Sequence, residues 1–172
     1  MRRHDNGKKI YQSQIFIPYV FVIDPETQTI AKRINVGGRP LDLAFTPDQR
    51  HLYIANYDLN ELEKIDTETD SVVARIPHLS NARGIAITRD ARFAFVTNVV
   101  SSTVTVVDLA SSEIVKVIPV GSMPTAVAFR TDGKYAYVSC QGSASVFVID
   151  TQTQEIVRSI VVDSNPIQVQ VK

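Results

Sequence analysis

Short runs of apolar residues alternate with polar clusters along the whole chain, and no run is long enough to build a helix. Val, Ile, Tyr, Phe and Thr fill the runs; Asp, Asn, Gly, Ser and Gln fill the gaps. No segment sustains a 3.6-residue apolar period, so the pattern predicts strands. Many strands are apolar on successive positions, as in Val104-Thr105-Val106-Val107 and Val146-Phe147-Val148-Ile149. A strand apolar on both sides belongs to a sheet covered on both faces.

The runs recur. Asp24, Asp66, Asp108 and Asp150 lie 42 residues apart, each closing the same kind of phrase: Phe21-Val22-Ile23-Asp24, Glu63-Lys64-Ile65-Asp66, Thr105-Val106-Val107-Asp108 and Phe147-Val148-Ile149-Asp150. Each unit reads as a turn, a strand, a loop, a strand ending in this Asp, a third strand, a Gly/Pro loop and a fourth strand. The first strands are expected over 9–14, 51–56, 93–98 and 135–140, after turns such as Asn6-Gly7-Lys8. The third are expected over 29–36, 71–77, 113–120 and 155–162. The fourth are expected over 41–46, 84–88, 125–130 and 167–171.

A fixed period of this length marks a repeat architecture. Four-stranded sheets packed face to face around an axis satisfy it, which predicts an all-β propeller with four-stranded antiparallel blades. The chain reads as one domain over 1–172, with repeat phases 5–46, 47–88, 89–130 and 131–172. Sixteen strands make four blades, either a closed ring or an arc of a larger propeller. In a closed ring the strand over 167–171 completes the first blade and removes a free edge. An arc instead pairs with a second copy or belongs to a longer protein.

Phe95-Val96-Thr97-Asn98, then Ser102-Thr103-Val104-Thr105-Val106-Val107-Asp108, then Val117-Ile118-Pro119-Val120-Gly121-Ser122-Met123-Pro124 resembles the YVTN-type β-propeller repeat. Tyr53-Ile54-Ala55-Asn56 and Tyr137-Val138-Ser139-Cys140 are weaker copies of the first phrase. The chain has no Trp, so it lacks the tryptophan–aspartate signature of WD40 repeats. The resemblance implies that the strand after the Gly/Pro loop lines a central channel and the strand before it is outermost. It also implies about seven blades as the usual number, and members that are often exported. Lactonase-like hydrolases and haem-carrying propellers resemble this group.

Composition narrows the function classes. Lys and Arg total 18, Asp and Glu 18, so net charge is zero and no basic stripe for nucleic acid is present. The apolar stretch over 15–23 contains Pro18 and is too short to span a membrane. It falls in phase with a repeat strand, so no signal peptide is expected and a cytoplasmic location is the default. Cys140 is the single cysteine, which excludes an internal disulfide; at a strand end it is expected to be inert.

The periodic aspartates are expected to hold turns, accepting from backbone N–H groups two residues ahead. Gly37-Gly38-Arg39-Pro40 and Gly121-Ser122-Met123-Pro124 are expected to use Gly where φ is positive and Pro where an inner strand needs no ladder bond. Asn56 and Asn98 are expected to tie down loops through their side chains. His4, His51 and His78 form no metal-ligand set, and no Ser–His–acid constellation can be assembled, so neither a catalytic site, a metal nor a cofactor is expected.

The loops entering the inner strands and those after the first strands are expected to share one face. Arg39, Asp42, Asn81, Arg83, Met123, Asn165 and Gln168 are the candidates to line the channel mouth. Two arginines among neutral groups suit an anion, unless each is paired with Asp42 or Asp58. The apolar loop Ile15-Phe16-Ile17-Pro18-Tyr19 suggests a contact surface, with Ile15, Phe16, Ile17 and Tyr19 as interface candidates. The leading expectation is a non-enzymatic binding or scaffold module for a protein or small ligand, with self-association possible. The alternative is an enzyme or cofactor-carrying propeller. Inner-strand starts at Asp42, Gly84, Ala126 and Gln168 offer it one carboxylate where a metal site wants several.

Overall fold

A computed structural model of the chain describes residues 1–4, 7–163 and 165–169. Strands Arg2–Arg3 (β1), Ile10–Ser13 (β2), Tyr19–Asp24 (β3) and Thr29–Asn35 (β4) form the first antiparallel blade. Pro40–Phe45 (β5), His51–Asn56 (β6), Glu61–Asp66 (β7) and Ser71–Ile76 (β8) form the second. Ala82–Ile87 (β9), Phe93–Asn98 (β10), Thr103–Asp108 (β11) and Glu113–Pro119 (β12) form the third. Pro124–Phe129 (β13), Tyr135–Cys140 (β14), Ser145–Asp150 (β15) and Glu155–Val161 (β16) form the fourth. The protein is an all-β propeller of four blades, with β1, β5, β9 and β13 innermost.

Each blade carries the same local devices at the same phase. The strand-ending aspartates accept from the backbone N–H groups two and three residues on, at 2.8–3.2 Å in all four blades. These bonds hold the Asp24, Asp66 and Asp150 carboxyls below the usual range. The residue four positions after each of these aspartates takes positive φ every time: Gln28, Asp70, Ser112 and Gln154. A second series, Gly7, Gln49, Ala91 and Gly133, does the same in the hairpin before each second strand. The third and outer strands shift register at Val22/Ile23, Lys64/Ile65, Val106/Val107 and Val148/Ile149, a bulge that bends each blade at one place.

Three hydrophobic interfaces join the blades in a row. Tyr11, Val20, Val22 and Ile34 of the first blade pack on Leu43, Leu52, Ile54 and Ile65 of the second. Tyr53, Leu62 and Ile76 of the second pack on Ile85, Ala94, Val96 and Val107 of the third. Phe95, Val104, Val106 and Ile118 of the third pack on Ala136, Val138, Cys140 and Ile149 of the fourth. Among the described residues no such cluster joins the fourth blade to the first.

Two expectations are corrected. The first blade's innermost strand is β1, from residues ahead of β2, rather than the segment over 167–171. Residues 167–169 form no strand, and 170 and 171 lie outside the described residues, as does Asn6 of the first turn. At Gly121 the reason for glycine is space rather than φ. A Cβ there would collide with Ser143 Oγ and meet Phe147 Cε2 at 2.8 Å, and the positive φ falls on Met123. Gly37 and Gly38 take positive φ as expected.

Candidate functional site

The loops that enter the inner strands are hydrogen-bonded to the loops that follow the second strands. Tyr57 N donates to Arg39 O, Val99 N to Asn81 O and Gln141 N to Met123 O, at 2.9–3.2 Å. The two loop sets therefore rise on one face, around a cavity of about 540 Å³ at the channel mouth. Ile15, Leu41, Tyr57, Val99, Met123 and Ile167 make its wall largely apolar; Arg39, Asp42, Arg83, Thr125 and Gln168 supply the polar groups. Five of the seven mouth residues expected from sequence thus meet there, together with Ile15 from the apolar loop.

The two arginines are not equivalent. Arg39 is committed: Nε donates to Asp58 Oδ1 at 2.8 Å and Oδ2 at 2.9 Å, and Nη2 donates to Oδ1 at 2.6 Å. Its guanidinium also lies 4.5 Å from the Tyr57 ring centre. The pairing holds the Asp58 carboxyl below its ordinary range. Arg83 is half-buried on β9 and, among the described residues, its guanidinium has neither a hydrogen bond nor an ion pair. It stands at the phase occupied by Leu41, Thr125 and Ile167 in the other units, so its charge is particular to one blade.

Asp42 works within the fold. Its Oδ2 accepts from Ile85 N at 3.2 Å, bridging the second and third blades, and its Oδ1 accepts from Leu43 N at 2.9 Å. Arg2 Nη2 stands 3.7 Å away. Asn81 lies off the cavity wall: its N–H donates to Asn60 Oδ1 and its Nδ2 to Tyr57 O, which fixes the loop. Asn165 is exposed and also off the wall. Phe16 is 91% exposed and is not among the residues of the wall that Ile15 lines, while Ile17 and Tyr19 are half-buried.

Beside the mouth, Asn56 and Asn98 hold loops as expected. Asn56 Nδ2 donates to Gly37 O at 3.0 Å, and Asn98 Oδ1 accepts from Ser80 N at 3.2 Å. Asn56 also donates to Glu63 Oε2 at 3.2 Å. Glu63 is a fully buried carboxyl that sequence reasoning missed, and its Oε1 accepts no hydrogen bond, with Arg75 Nη2 at 3.6 Å. Burial pushes its pKa up to about 7. The signal was available, since Phe21, Thr105 and Phe147 hold the same phase without a charge. Cys140 is buried, and burial pushes its thiol up to about 11. Among the described residues no group of three or more His, Cys, Asp or Glu is placed to hold a metal, and no helix is long and apolar enough to cross a membrane.

The chain is similar to hydrazine synthase of Kuenenia stuttgartiensis, at 33% identity and a TM-score of 0.72. The match covers 74% of this chain and 37% of that one, so this chain spans well under half of its length. No curated protein matches. The model of the YNCE-like beta-propeller family matches residues 44–130, just over half of the 172-residue chain, from the end of β5 through β13. The chain belongs to the YNCE-like beta-propeller family.

Proposed function

We propose that this propeller is a binding module whose channel mouth receives a carboxylate-bearing ligand, either a small amphipathic anion or an acidic side chain of a protein partner. The observation that carries this reading is Arg83, a half-buried cation without a partner among the described residues, in a mainly apolar cavity of about 540 Å³. Such a cavity is in the range of small-ligand sites, and a few convergent polar groups in an apolar wall orient a ligand. A guanidinium suits a carboxylate because its planar fork offers two parallel donors. Thr125 and Gln168 add neutral polar groups, and no step of bond making or breaking is called for.

Calorimetric titration with small aromatic carboxylates and short Asp- or Glu-containing peptides tests it. The natural chain is expected to bind at least one of these probes. Arg83→Ala is expected to weaken that binding about 10- to 100-fold, the loss of a charge-assisted hydrogen bond, with an unchanged melting temperature. Binding that survives the substitution would sink the assignment.

A second reading, blades that serve an enzyme, is favoured by the likeness to hydrazine synthase. It calls for a metal or cofactor at stoichiometric level in the purified protein, measured by elemental analysis and absorption.

A further inference from the structure

Glu63 is joined through Asn56 to two of the loops that wall the mouth. Asn56 Nδ2 donates to Gly37 O at 3.0 Å and to Glu63 Oε2 at 3.2 Å, while Asn56 Oδ1 accepts from Leu59 N at 3.3 Å. One buried side chain thus ties the loop before β5 to the loop after β6, and Tyr57 N closes the pair on Arg39 O at 3.0 Å. Arg39 and Tyr57 both line the cavity. The tie is close-fitting: a Cβ on Gly38 would collide with Asn56 Oδ1, and one on Gly37 would meet Leu59 Cδ1 at 3.0 Å. A shift of the Asn56 amide therefore moves both loops.

The third blade builds the same tie without a charge. Asn98 Nδ2 donates to Thr105 Oγ1 at 2.8 Å, and Asn98 Oδ1 accepts from Ser80 N at 3.2 Å. A neutral hydroxyl there suits a single amide donor. Glu63 puts a fully buried carboxyl in its place, and among the described residues only one of its two oxygens accepts a hydrogen bond.

We propose that Glu63 is a proton-operated latch on the mouth: neutral, its carboxyl leaves the Asn56 amide holding Gly37 and Leu59, and ionised, it draws that amide away and slackens both loops. Its action on the loops stands apart from the Arg83 reading, whereas its effect on binding rests on that reading.

A carboxylate sealed from water needs donors, because an unpaired buried charge costs far more than a neutral carboxyl. Few are within reach. β7 itself brings Glu61, and β8 brings Arg75, whose Nη1 already donates to Glu61 Oε1 at 2.8 Å and whose Nη2 stops 3.6 Å from Glu63. Ile54 of β6 and Leu43 of β5, on the same side of the sheet, are apolar. From the first blade, Lys9 and Lys32 are held at the far turn by Thr67 O, Asp70 and Thr69 O, where Tyr11 also donates to Asp70. In the loops Arg39 and Asp58 are paired with each other. His78 is exposed on the neighbouring loop, whose Leu79 N donates to Asn60 O at 2.9 Å. The Asn56 amide is the donor in contact, and burial brings the change of charge up to about pH 7.

Amide nuclear magnetic resonance on the full chain from about pH 5 to 9 reads the latch. It is run in a His78→Asn background, which removes the nearby imidazole and keeps a residue that tolerates the φ of 73°. The Gly37, Gly38, Tyr57 and Leu59 signals are expected to move together with a midpoint near pH 7 and to lose this titration when Glu63→Gln is added. Ser80 and Val99, in the uncharged tie, are expected not to follow. Loop signals that stay still through pH 7, or that move equally with Glu63→Gln, overturn the latch. Should Glu63→Gln unfold, Glu63→Thr copies the Asn98–Thr105 pair and is expected to lose the same titration.

Calorimetry with phenylacetate in the same background reads the consequence at the mouth, since its carboxylate and both arginines keep one charge across this range. Affinity is expected to fall about 3- to 10-fold from about pH 6 to 8 as the neutral fraction of Glu63 shrinks, and to stay level with Glu63→Gln. Level binding in a chain whose loops titrate overturns the control of the mouth. Loops that titrate in a chain that binds no phenylacetate support the latch and sink the Arg83 reading alone.

Discussion

The Asn56 amide donates to the sealed Glu63 carboxyl at 3.2 Å, and among the described residues this one bond is all the hydrogen bonding that carboxyl receives. A carboxylate left this dry prefers its proton. Its pKa rises from 4.5 to about 7 on folding, so the folded chain binds that proton more tightly than the unfolded chain. The stability linked to it is therefore complete below pH about 4.5 and lost as pH rises through about 7. Melting curves between pH 5 and 8 should show a fall in the natural chain that Glu63→Gln flattens, with the variant the more stable of the two at pH 8. A natural chain whose melting temperature is level across this window would show the carboxyl to be ionised in the fold.

Arg39 and Arg83 should separate when replaced singly. Arg39 and Asp58 are each about two-fifths exposed, so solvent screens their pair and its contribution to stability is small despite its fork geometry. Arg39→Ala should lower the melting temperature by no more than about 4 °C, the shift that such a loss causes in a chain of this size. It should leave carboxylate binding within about twofold, whereas Arg83→Ala weakens it about 10- to 100-fold. Calorimetry on the two variants side by side gives the answer, and equal effects would return both arginines to one shared role.

Ala91 is the one alanine in a series otherwise filled by Gly7, Gln49 and Gly133, and its φ is 59°. An L-residue in this region costs about 1–2 kcal/mol, partly offset by the lower chain entropy of alanine. Ala91→Gly should therefore stabilise the third blade by about 0.5–1 kcal/mol. Chemical denaturation would register this as a higher midpoint at unchanged slope, and a lower midpoint would refute the strain.

Cys140 should react with a neutral disulfide reagent only as fast as the chain opens. Its thiol is buried among Phe95, Val138 and their neighbours and held protonated to about pH 11. Labelling followed with and without denaturant distinguishes the two regimes; prompt labelling of the folded chain would place the thiol at the surface.

The scaffold was legible because its determinants are local and repeated. An Asp followed by two backbone donors makes a turn wherever it stands, so Asp24 through Asp150 marked every third-to-outer hairpin. The mouth was legible as a face, because topology alone brings Arg39, Asp42, Arg83 and Met123 together. Which arginine remains free was not, since Asp58 lies 19 residues from Arg39 and only the folded loops choose between it and Asp42. Glu63 escaped because a charge beside Lys64 reads as a wet edge until the neighbouring blade is built over it. β1 escaped for a different reason: Arg2-Arg3 has no apolar pattern, and only its phase with Ala44-Phe45 reveals the strand.

The bulge at Val22/Ile23 recurs at Lys64/Ile65, Val106/Val107 and Val148/Ile149, always between the third and outer strands. Each blade therefore carries the instruction for its own curvature inside 42 residues and takes none from its neighbours. A segment copied in whole units arrives already bent to fit the stack. For such a gene, duplication or loss of one unit changes the number of blades without requiring any residue in the others to be re-selected.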